Sequence, residues 1–167
     1  MIRTEGTGWP GGRPIVGRME TPYAAIARLV FGYADRLDAG DLAGMAAFFH
    51  RARLRTASGE GATFTGAAEV LAAFDGSVQR FEDGTPSTKH VTTNLIVDAD
   101  EEAGTASARS YFTVLQSRPD LPLQPIVAGR YEDSFARDGD GRWYFTDRLI
   151  IIEHVGDVSR HLRQPVP

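Results

Sequence analysis

Apolar and polar positions divide the chain into a helical first half and a strand-rich second half. After Thr21-Pro22, which suit an N-cap and the first helical position, apolar residues recur near the 3.6-residue period of a helix. This spacing predicts an amphipathic helix with apolar positions Ile26, Leu29, Val30, Tyr33 and Leu37. Gly40 ends that helix, and Asp41 predicts the N-cap of a short second helix continuing to Phe49.

Short strands near 51–57 and 62–65 and a third helix over about 67–81 follow. Beyond them, acidic or glycine turns separate runs rich in β-branched and aromatic residues. These runs predict four long strands, at 89–98, 105–118, 125–137 and 142–155. Helices followed by successive antiparallel strands are typical of an α+β fold. We therefore expect a cone-shaped fold, in which a strongly curved antiparallel sheet wraps around the N-terminal helices and leaves a pocket between helix and sheet.

The first residues differ in composition from the rest. Five glycines and two prolines fall within the first seventeen positions, without periodicity, so residues 1–20 are predicted to form an arm. The G-x-G-x-x-G string from Gly6 to Gly11 is not a dinucleotide loop, because no strand fits before it and Pro10 opposes a helix start. We expect residues 21–155 to form one domain and 156–167 a tail or lid.

Composition excludes several classes of function. The 167 residues carry a net charge of −4 and no cysteine, which argues against nucleic-acid binding and excludes thiolate chemistry and Cys-ligated metal. The longest aliphatic run, Leu149–Ile152, is too short for a membrane span. The four histidines lack H-x-x-x-H or H-x-H spacing, so no catalytic metal is favoured. We expect a cytoplasmic protein that binds neither membrane nor nucleic acid.

Two residues are candidates for acid–base chemistry. His90 opens a predicted strand and is expected to share one face with Thr92 and Asn94; on the concave face it would suit a general base, and a structural histidine is the alternative. Asp38 ends the first helix, where simple solvation is the alternative. On an ideal helix Asp38 points about 140° away from Tyr33, so the two share a face only if the helix loosens near its end.

The other histidines carry weaker signals. His50 lies at the end of the second helix, where a cation suits the dipole. His154 follows Glu153 at a strand end, and His161 lies in the tail without a partner nearby in sequence.

Five segments resemble motifs of the nuclear transport factor 2-like superfamily, and within it the SnoaL-like and scytalone-dehydratase-like branch. They are Tyr33–Asp41, Phe64–Gly66, Lys89–Leu95, Ala128–Phe135 and Gly141–Arg148. The resemblance extends over residues from about 22 to 160 and implies a cystatin-like α+β barrel. It also implies a catalytic Asp–His pair at Asp38 and His90.

Activities in this branch include those of lindane dehydrochlorinase, bile-acid 7α-dehydratase and scytalone dehydratase, which eliminate HX without a cofactor. The resemblance therefore implies a cofactor-free lyase or isomerase acting on a small hydrophobic carbonyl compound, such as a polyketide, steroid or aromatic. Tyr33, five residues before Asp38, matches the bile-acid enzyme and favours dehydration. Where dehydratases carry an acid or histidine on the next strand, this chain offers Tyr111 or Thr113. Arg148 matches an arginine near the dehydrochlorinase site.

The expected site has His90 as base, Asp38 as its orienting acid and Tyr33 as a further catalytic group. Expected substrate contacts are Tyr111, Thr113, Arg148 and Phe48, although Arg148 has pairing with Asp133 or Asp147 as its alternative. An aromatic pocket wall is expected from Phe31, Phe48, Phe49, Phe74, Phe112 and Trp143.

Two other functions stay open at this point. One is a non-catalytic binding or assembly module on the same fold, and the other is a small subunit of a ring-hydroxylating dioxygenase. A homodimer or homotrimer is expected through the outer face of the sheet, where Tyr, Phe and Ile would otherwise be exposed.

Overall fold

A computed structural model of the chain describes residues 20–57 and 61–163. The predicted N-terminal arm falls outside these residues, apart from Glu20, as does the end of the tail. The helices are α1 (Pro22–Asp38), α2 (Leu42–Ala47) and α3 (Gly66–Ser77). The strands are β1 (Arg53–Thr56), β2 (Ala62–Thr65), β3 (Thr88–Asp100), β4 (Thr105–Arg118), β5 (Leu121–Arg137) and β6 (Trp143–Val155).

The helix starts predicted from capping residues are confirmed. Thr21 Oγ1 accepts the backbone N–H of Ala24 at 3.2 Å, and Asp41 Oδ1 accepts that of Gly44 at 2.8 Å. Gly40 makes the turn between α1 and α2 with φ of +75°, and a Cβ there would lie 2.0 Å from a backbone oxygen. Only glycine therefore fits this close approach.

The third helix is shorter than predicted. It ends at Ser77 rather than near Phe81, because Val78 adopts an extended conformation and forms a β-bridge with Leu162. A contact with the distant tail thus overrides the local helical pattern, which no periodicity argument can detect.

The six strands form one sheet in the order β2-β1-β6-β5-β4-β3. The predicted α+β class, with a curved sheet and N-terminal helices, is confirmed. The sheet is mixed rather than antiparallel throughout, because β1 runs parallel to β6. It also stays unclosed, since the outer strands β2 and β3 do not pair with each other.

The hydrophobic core fills the space between α1, α2 and the concave face of the sheet. Aromatic rings interlock there, with Phe49 stacked on Phe145 at 5.6 Å and Phe112 stacked on Tyr131 at 4.4 Å between centroids. Burial of each such ring stabilises the fold by about 1.5–3 kcal/mol. None of the helices among residues 20–57 and 61–163 has the length and apolar content to cross a bilayer.

A bulge in β3 changes which side chains face inward. The pairing of β3 with β4 shifts register between Thr93 and Ile96, and Asn94 adopts a φ of +54°. Asparagine tolerates this left-handed conformation better than most residues. The expectation that Asn94 shares a face with His90 is wrong, because the bulge turns Asn94 outward and Leu95 takes the inward position.

Candidate active site

A cavity opens between the helices and the concave face of the sheet. Its volume is about 380 Å³, within the range of small-molecule sites. Most of the side chains that line it are apolar, contributed by α1, α3 and the strands. The polar exceptions are Tyr33, Thr56, Ser77, His90, Tyr131 and His161.

His90 lines this cavity and pairs with Asp38, which lies outside the lining. Asp38 is the last residue of α1, and His90 lies near the start of β3. His90 Nδ1 and Asp38 Oδ1 are 2.6 Å apart, and the backbone N–H of His90 donates to Asp38 Oδ2 at 2.7 Å. The hydroxyl of Thr88 donates to Asp38 Oδ1 at 2.7 Å. The Asp38 side chain is 9% exposed and that of His90 5%, so both are shielded from water.

These contacts set the charge of Asp38 and the tautomer that a neutral His90 ring adopts. Burial acts to raise the pKa of Asp38, but the hydrogen bonds from His90 and Thr88 outweigh it and hold that pKa below its ordinary value. Asp38 is therefore a carboxylate at neutral pH and can only accept, so the proton of neutral His90 resides on Nδ1. Nε2, which accepts no hydrogen bond from the described residues, is left with a free lone pair on a ring that lines the cavity.

Tyr33 reaches the same cavity from α1 by a different route. Its ring lines the cavity, whereas Asp38 does not line it and contacts β3 instead. Tyr33 and Asp38 need not share a helix face, because Asp38 acts through its hydrogen bond to His90, and the His90 ring lines the cavity. Burial raises the pKa of Tyr33 to about 12, opposed by the nearby Arg148. Tyr33 is thus a neutral phenol that can donate a hydrogen bond.

Arg148 is placed in the core rather than in the cavity, which contradicts its expected contact with substrate. Its guanidinium donates two parallel hydrogen bonds of 2.8 Å to Asp133, and both side chains are fully buried. It also lies over the rings of Tyr33 and Tyr131, at 4.3 and 4.2 Å from their centroids. Burial opposes its charge, but Asp133 outweighs that effect and raises the pKa of Arg148. Arg148 therefore packs against the rings of two tyrosines that line the cavity, Tyr33 and Tyr131.

Three further expected substrate contacts also lie elsewhere. Phe112 and Val114 of β4 line the cavity, so by strand alternation Tyr111 and Thr113 face the outer side of the sheet. Tyr111 is 52% exposed there. Phe48 packs edge-on against Phe145 in the core and does not line the cavity.

The aromatic wall is smaller than the sequence suggests. Only two of the six expected rings, those of Phe74 and Phe112, line the cavity. Phe49 belongs to the core, Trp143 packs against it, and Phe31 is 45% exposed. A helical period predicts which ring is buried but does not say whether it meets a cavity or another ring.

Tyr131 and His161 are among the cavity residues that sequence reasoning missed. Tyr131 belongs to a recognised motif, and its inward position on β5 follows from alternation with Asp133 and Phe135. His161 comes from the tail, flanked by the half-buried Val158 and Leu162. That apolar spacing is the one signal that the tail folds back onto the domain.

No group of three or more His, Asp or Glu side chains suited to holding a metal ion occurs in the part of the chain that the structure describes.

Several solved structures are similar to this chain over most of its length. The ActVI-ORFA protein of Streptomyces coelicolor matches with a TM-score of 0.64 at 20% identity, covering 80% of this chain and 98% of its own. A scytalone dehydratase-like protein of Novosphingobium aromaticivorans matches with a TM-score of 0.62 at 26% identity, covering 80% and 85%.

A third structure, named as the β subunit of an aromatic-ring-hydroxylating dioxygenase of Novosphingobium aromaticivorans, has a TM-score of 0.62 at 19% identity, covering 79% and 89%. No curated protein sequence matches the chain. The sequence model of the SnoaL-like domain matches residues 21–149, which include α1, all of β3 to β5 and both members of the Asp38–His90 pair. The chain belongs to the SnoaL-like domain family of the nuclear transport factor 2-like superfamily.

Proposed function

We propose that this protein is a cofactor-free lyase of the dehydratase type, with His90 as the general base. One observation carries the proposal: the buried carboxylate of Asp38 lies 2.6 Å from His90 Nδ1, and the ring borders an apolar cavity. A carboxylate that accepts the Nδ1 proton fixes the tautomer and stabilises the imidazolium formed when Nε2 takes a proton. The likeness to a scytalone dehydratase-like protein supports the same reading.

The reaction we propose begins at the carbon next to a carbonyl group. His90 Nε2 removes a proton from that carbon, and the C–H electron pair moves into an enolate. The enolate then re-forms the carbonyl and expels the hydroxyl group from the next carbon. Protonated His90 returns its proton to that hydroxyl, so that water leaves and an unsaturated carbonyl compound remains. Asp38 stays ionised throughout.

Tyr33 is proposed to bind an oxygen of the substrate. Its phenol is neutral in this cavity, because burial raises its pKa to about 12, so it can donate to a carbonyl or a leaving hydroxyl group. The Arg148–Asp133 pair fixes its ring from the opposite side. A donor held in place before the reaction loses little free energy in reorganisation when negative charge develops.

The lining of the cavity supports a hydrophobic substrate with few polar groups. Twelve of its eighteen lining residues are aliphatic or Phe, and a cavity of about 380 Å³ has the volume of roughly a dozen water molecules. We propose a small ring compound that carries a carbonyl group with a hydroxyl group on the β carbon.

The test is a screen of β-hydroxy carbonyl compounds for loss of water, followed by His90→Ala. Replacing a general base costs about 10²–10⁴ in rate. The control is His50→Ala, which removes an exposed histidine three residues after the end of α2 and is expected to leave the rate unchanged. Activity within threefold of wild type in folded His90→Ala would overturn the assignment and favour a binding or assembly module.

We also propose that two or three copies associate through the outer face of the sheet. Ile96 and Tyr111 are exposed there beside Arg109, Arg130 and two glutamates. A face with apolar residues and both signs of charge can pair with a copy of itself. The phenylalanines expected on this face instead point inward, so the apolar area is smaller than predicted.

A further inference from the structure

The tail is bound to the domain beside the cavity, which His161 and Leu162 line. The backbone carbonyl of His161 accepts the backbone N–H of Gln79 at 2.8 Å. The backbone N–H of Arg163 donates to the carbonyl of Ser77 at 2.9 Å. Between them Leu162 forms a β-bridge with Val78. The backbone on both sides of His161 is therefore fixed against the end of α3.

A buried glutamine secures the same segment from the sheet. Gln116 of β4 is 1% exposed, and its Nε2 donates to the carbonyls of Pro86 at 3.0 Å and Arg160 at 3.2 Å. The exposed side chain of Arg160 adds an ion pair with Asp120. Because the tail is bound to both α3 and β4, the direction of the His161 side chain is set by the fold.

The imidazole of His161 lines the same cavity as His90. Its Nδ1 is buried and has no hydrogen-bond partner among the described residues. A buried polar atom without a partner costs folding free energy. The other ring nitrogen, Nε2, is not among such buried atoms and has no hydrogen-bond partner among the described residues. Because the ring lines the cavity, Nε2 is the atom left to bond a polar group of a ligand.

Burial is the main reason that this imidazole is neutral. Burial lowers its pKa to about 4, His90 acts in the same direction, and Asp38 opposes the shift. At neutral pH His161 therefore presents one N–H donor and one lone pair without a charge. A neutral imidazole can stabilise an oxyanion by hydrogen bonding, without being consumed as an acid.

We propose that His161 is a second substrate-contacting histidine, which reaches the cavity from the tail and hydrogen-bonds the oxygen of the substrate while His90 acts on carbon. The inference rests on the proposed function, in that it assigns the cavity to a substrate bearing oxygen. In the elimination, the N–H of His161 donates to the enolate oxygen while negative charge resides there. No proton is transferred, and the bond weakens when the carbonyl re-forms.

The first test observes the histidines directly, with 2-naphthol as an aromatic probe that carries one hydroxyl group. Two-dimensional ¹H–¹⁵N imidazole spectra are recorded on the full chain, with signals assigned from single His→Gln variants. We expect saturable shifts at His161 and His90 and none at the exposed His50 and His154. A His161 signal that stays unmoved up to the solubility limit of 2-naphthol overturns the inference, whether or not other signals move.

The same spectra separate the inference from the proposed function. Movement of His161 without His90 supports the role of His161 as a ligand contact and argues against His90 as the reacting base. Movement of the His90 signal without the His161 signal overturns the role of His161 and supports His90 as the reacting base. Neither result needs a turnover assay.

The second test compares 2-naphthol with naphthalene, which lacks the hydroxyl group. His161→Phe keeps a ring and removes both nitrogens, so we expect its affinity for 2-naphthol to fall about tenfold and that for naphthalene to stay within twofold. The control Arg160→Ala loses the ion pair with Asp120 but keeps the imidazole, and both affinities should stay within twofold. Equal effects of His161→Phe on the two probes would mean that His161 only shapes the wall, and would overturn the proposal.

Discussion

The carboxylate of Asp38 combines two tasks. It holds the ring of His90, and it also accepts the backbone N–H of His90 and the hydroxyl of Thr88. Hydrogen bonds to a charged group contribute about 1.5–3 kcal/mol each. Asp38, which orients the proposed base, therefore also binds the first residues of the edge strand β3 to the end of α1.

Asp38→Asn separates these two tasks. The amide oxygen can still accept one N–H, so the chain should fold, but the amide cannot balance an imidazolium. We expect the dehydration rate to fall by about 10²–10⁴. Thr88→Val is the matched control, because it removes one donor to the carboxylate and leaves the ring contact intact; its rate should stay within tenfold. An equal loss in both variants would mean that the hydrogen-bonded cluster, rather than the charge, is required.

The partly buried imidazole of His161 makes folding stability depend on pH. Its pKa is about 4 in the folded chain and near 6.5 when unfolded, so the unfolded state binds the proton first as pH falls. Stability is therefore lost between about pH 6.5 and pH 4, and the loss from pH 7 to pH 5 is about 2 kcal/mol. The pKa of Asp38 lies below its ordinary value, so Asp38 contributes only at lower pH.

Urea unfolding at pH 7 and pH 5 checks this pH dependence, with His161→Phe as the reference. The variant has no imidazole to protonate, so its stability should change less than that of wild type by roughly the same 2 kcal/mol. Identical pH dependence in the two proteins would show that the His161 ring titrates normally.

At the scale of elements, the bulge in β3 allows this strand to contribute both to the cavity and to the core. His90 lies before the bulge and Leu95 after it, and both face inward although five positions separate them. Strict alternation would turn one of them outward. The bulge thus lets one strand supply both a polar group to the cavity and apolar groups to the core.

Asn94 is where this irregularity can be tested. At a φ of +54° an alanine is strained by about 1–2 kcal/mol, whereas glycine is not. We expect Asn94→Ala to lower the free energy of unfolding by about 1 kcal/mol and Asn94→Gly to leave it nearly unchanged, as measured in urea. Both variants should keep activity, since Asn94 faces away from the cavity. Loss of activity in Asn94→Gly would instead make Asn94 a site residue.

The sequence predicts element type better than it predicts what each side chain touches. Capping at Thr21 and Asp41 and the strand span 105–118 agree with the structure, because these depend on neighbouring residues. The inward turn of Leu95, the early end of α3 and the cavity position of His161 depend on contacts with distant strands or the tail. The contact between Asp38 and His90 is also long-range, and only the family resemblance predicted it.

At the scale of the molecule, the two faces of the sheet have different tasks. The concave face holds the core and the cavity, while the outer face presents Tyr111 and Ile96 among paired charges, such as Arg130 with Glu132 and Glu153. Since the residues that line the cavity are distinct from those exposed on the outer face, association through that face would not cover the lining of the proposed site.

Light scattering at micromolar concentration tests the proposed association. We expect a mass of two or three times the 18.2 kDa of one chain. Tyr111→Arg places a charge in the centre of the outer face and should shift the protein toward the monomer, whereas the control Tyr23→Arg changes an exposed tyrosine on α1. A wild-type protein found only at 18.2 kDa would contradict the proposal.

The hydrogen bonds of Asp38 also bear on how such a fold changes its task over evolutionary time. The described residues give this carboxylate three donors, of which one is the ring of His90 and the others are a backbone N–H and the hydroxyl of Thr88. A substitution of His90 thus removes the reactive group but leaves the acid with two partners. A descendant that loses catalysis but keeps ligand binding therefore needs no compensating substitution at Asp38. Restoring the histidine then needs a change at one position only.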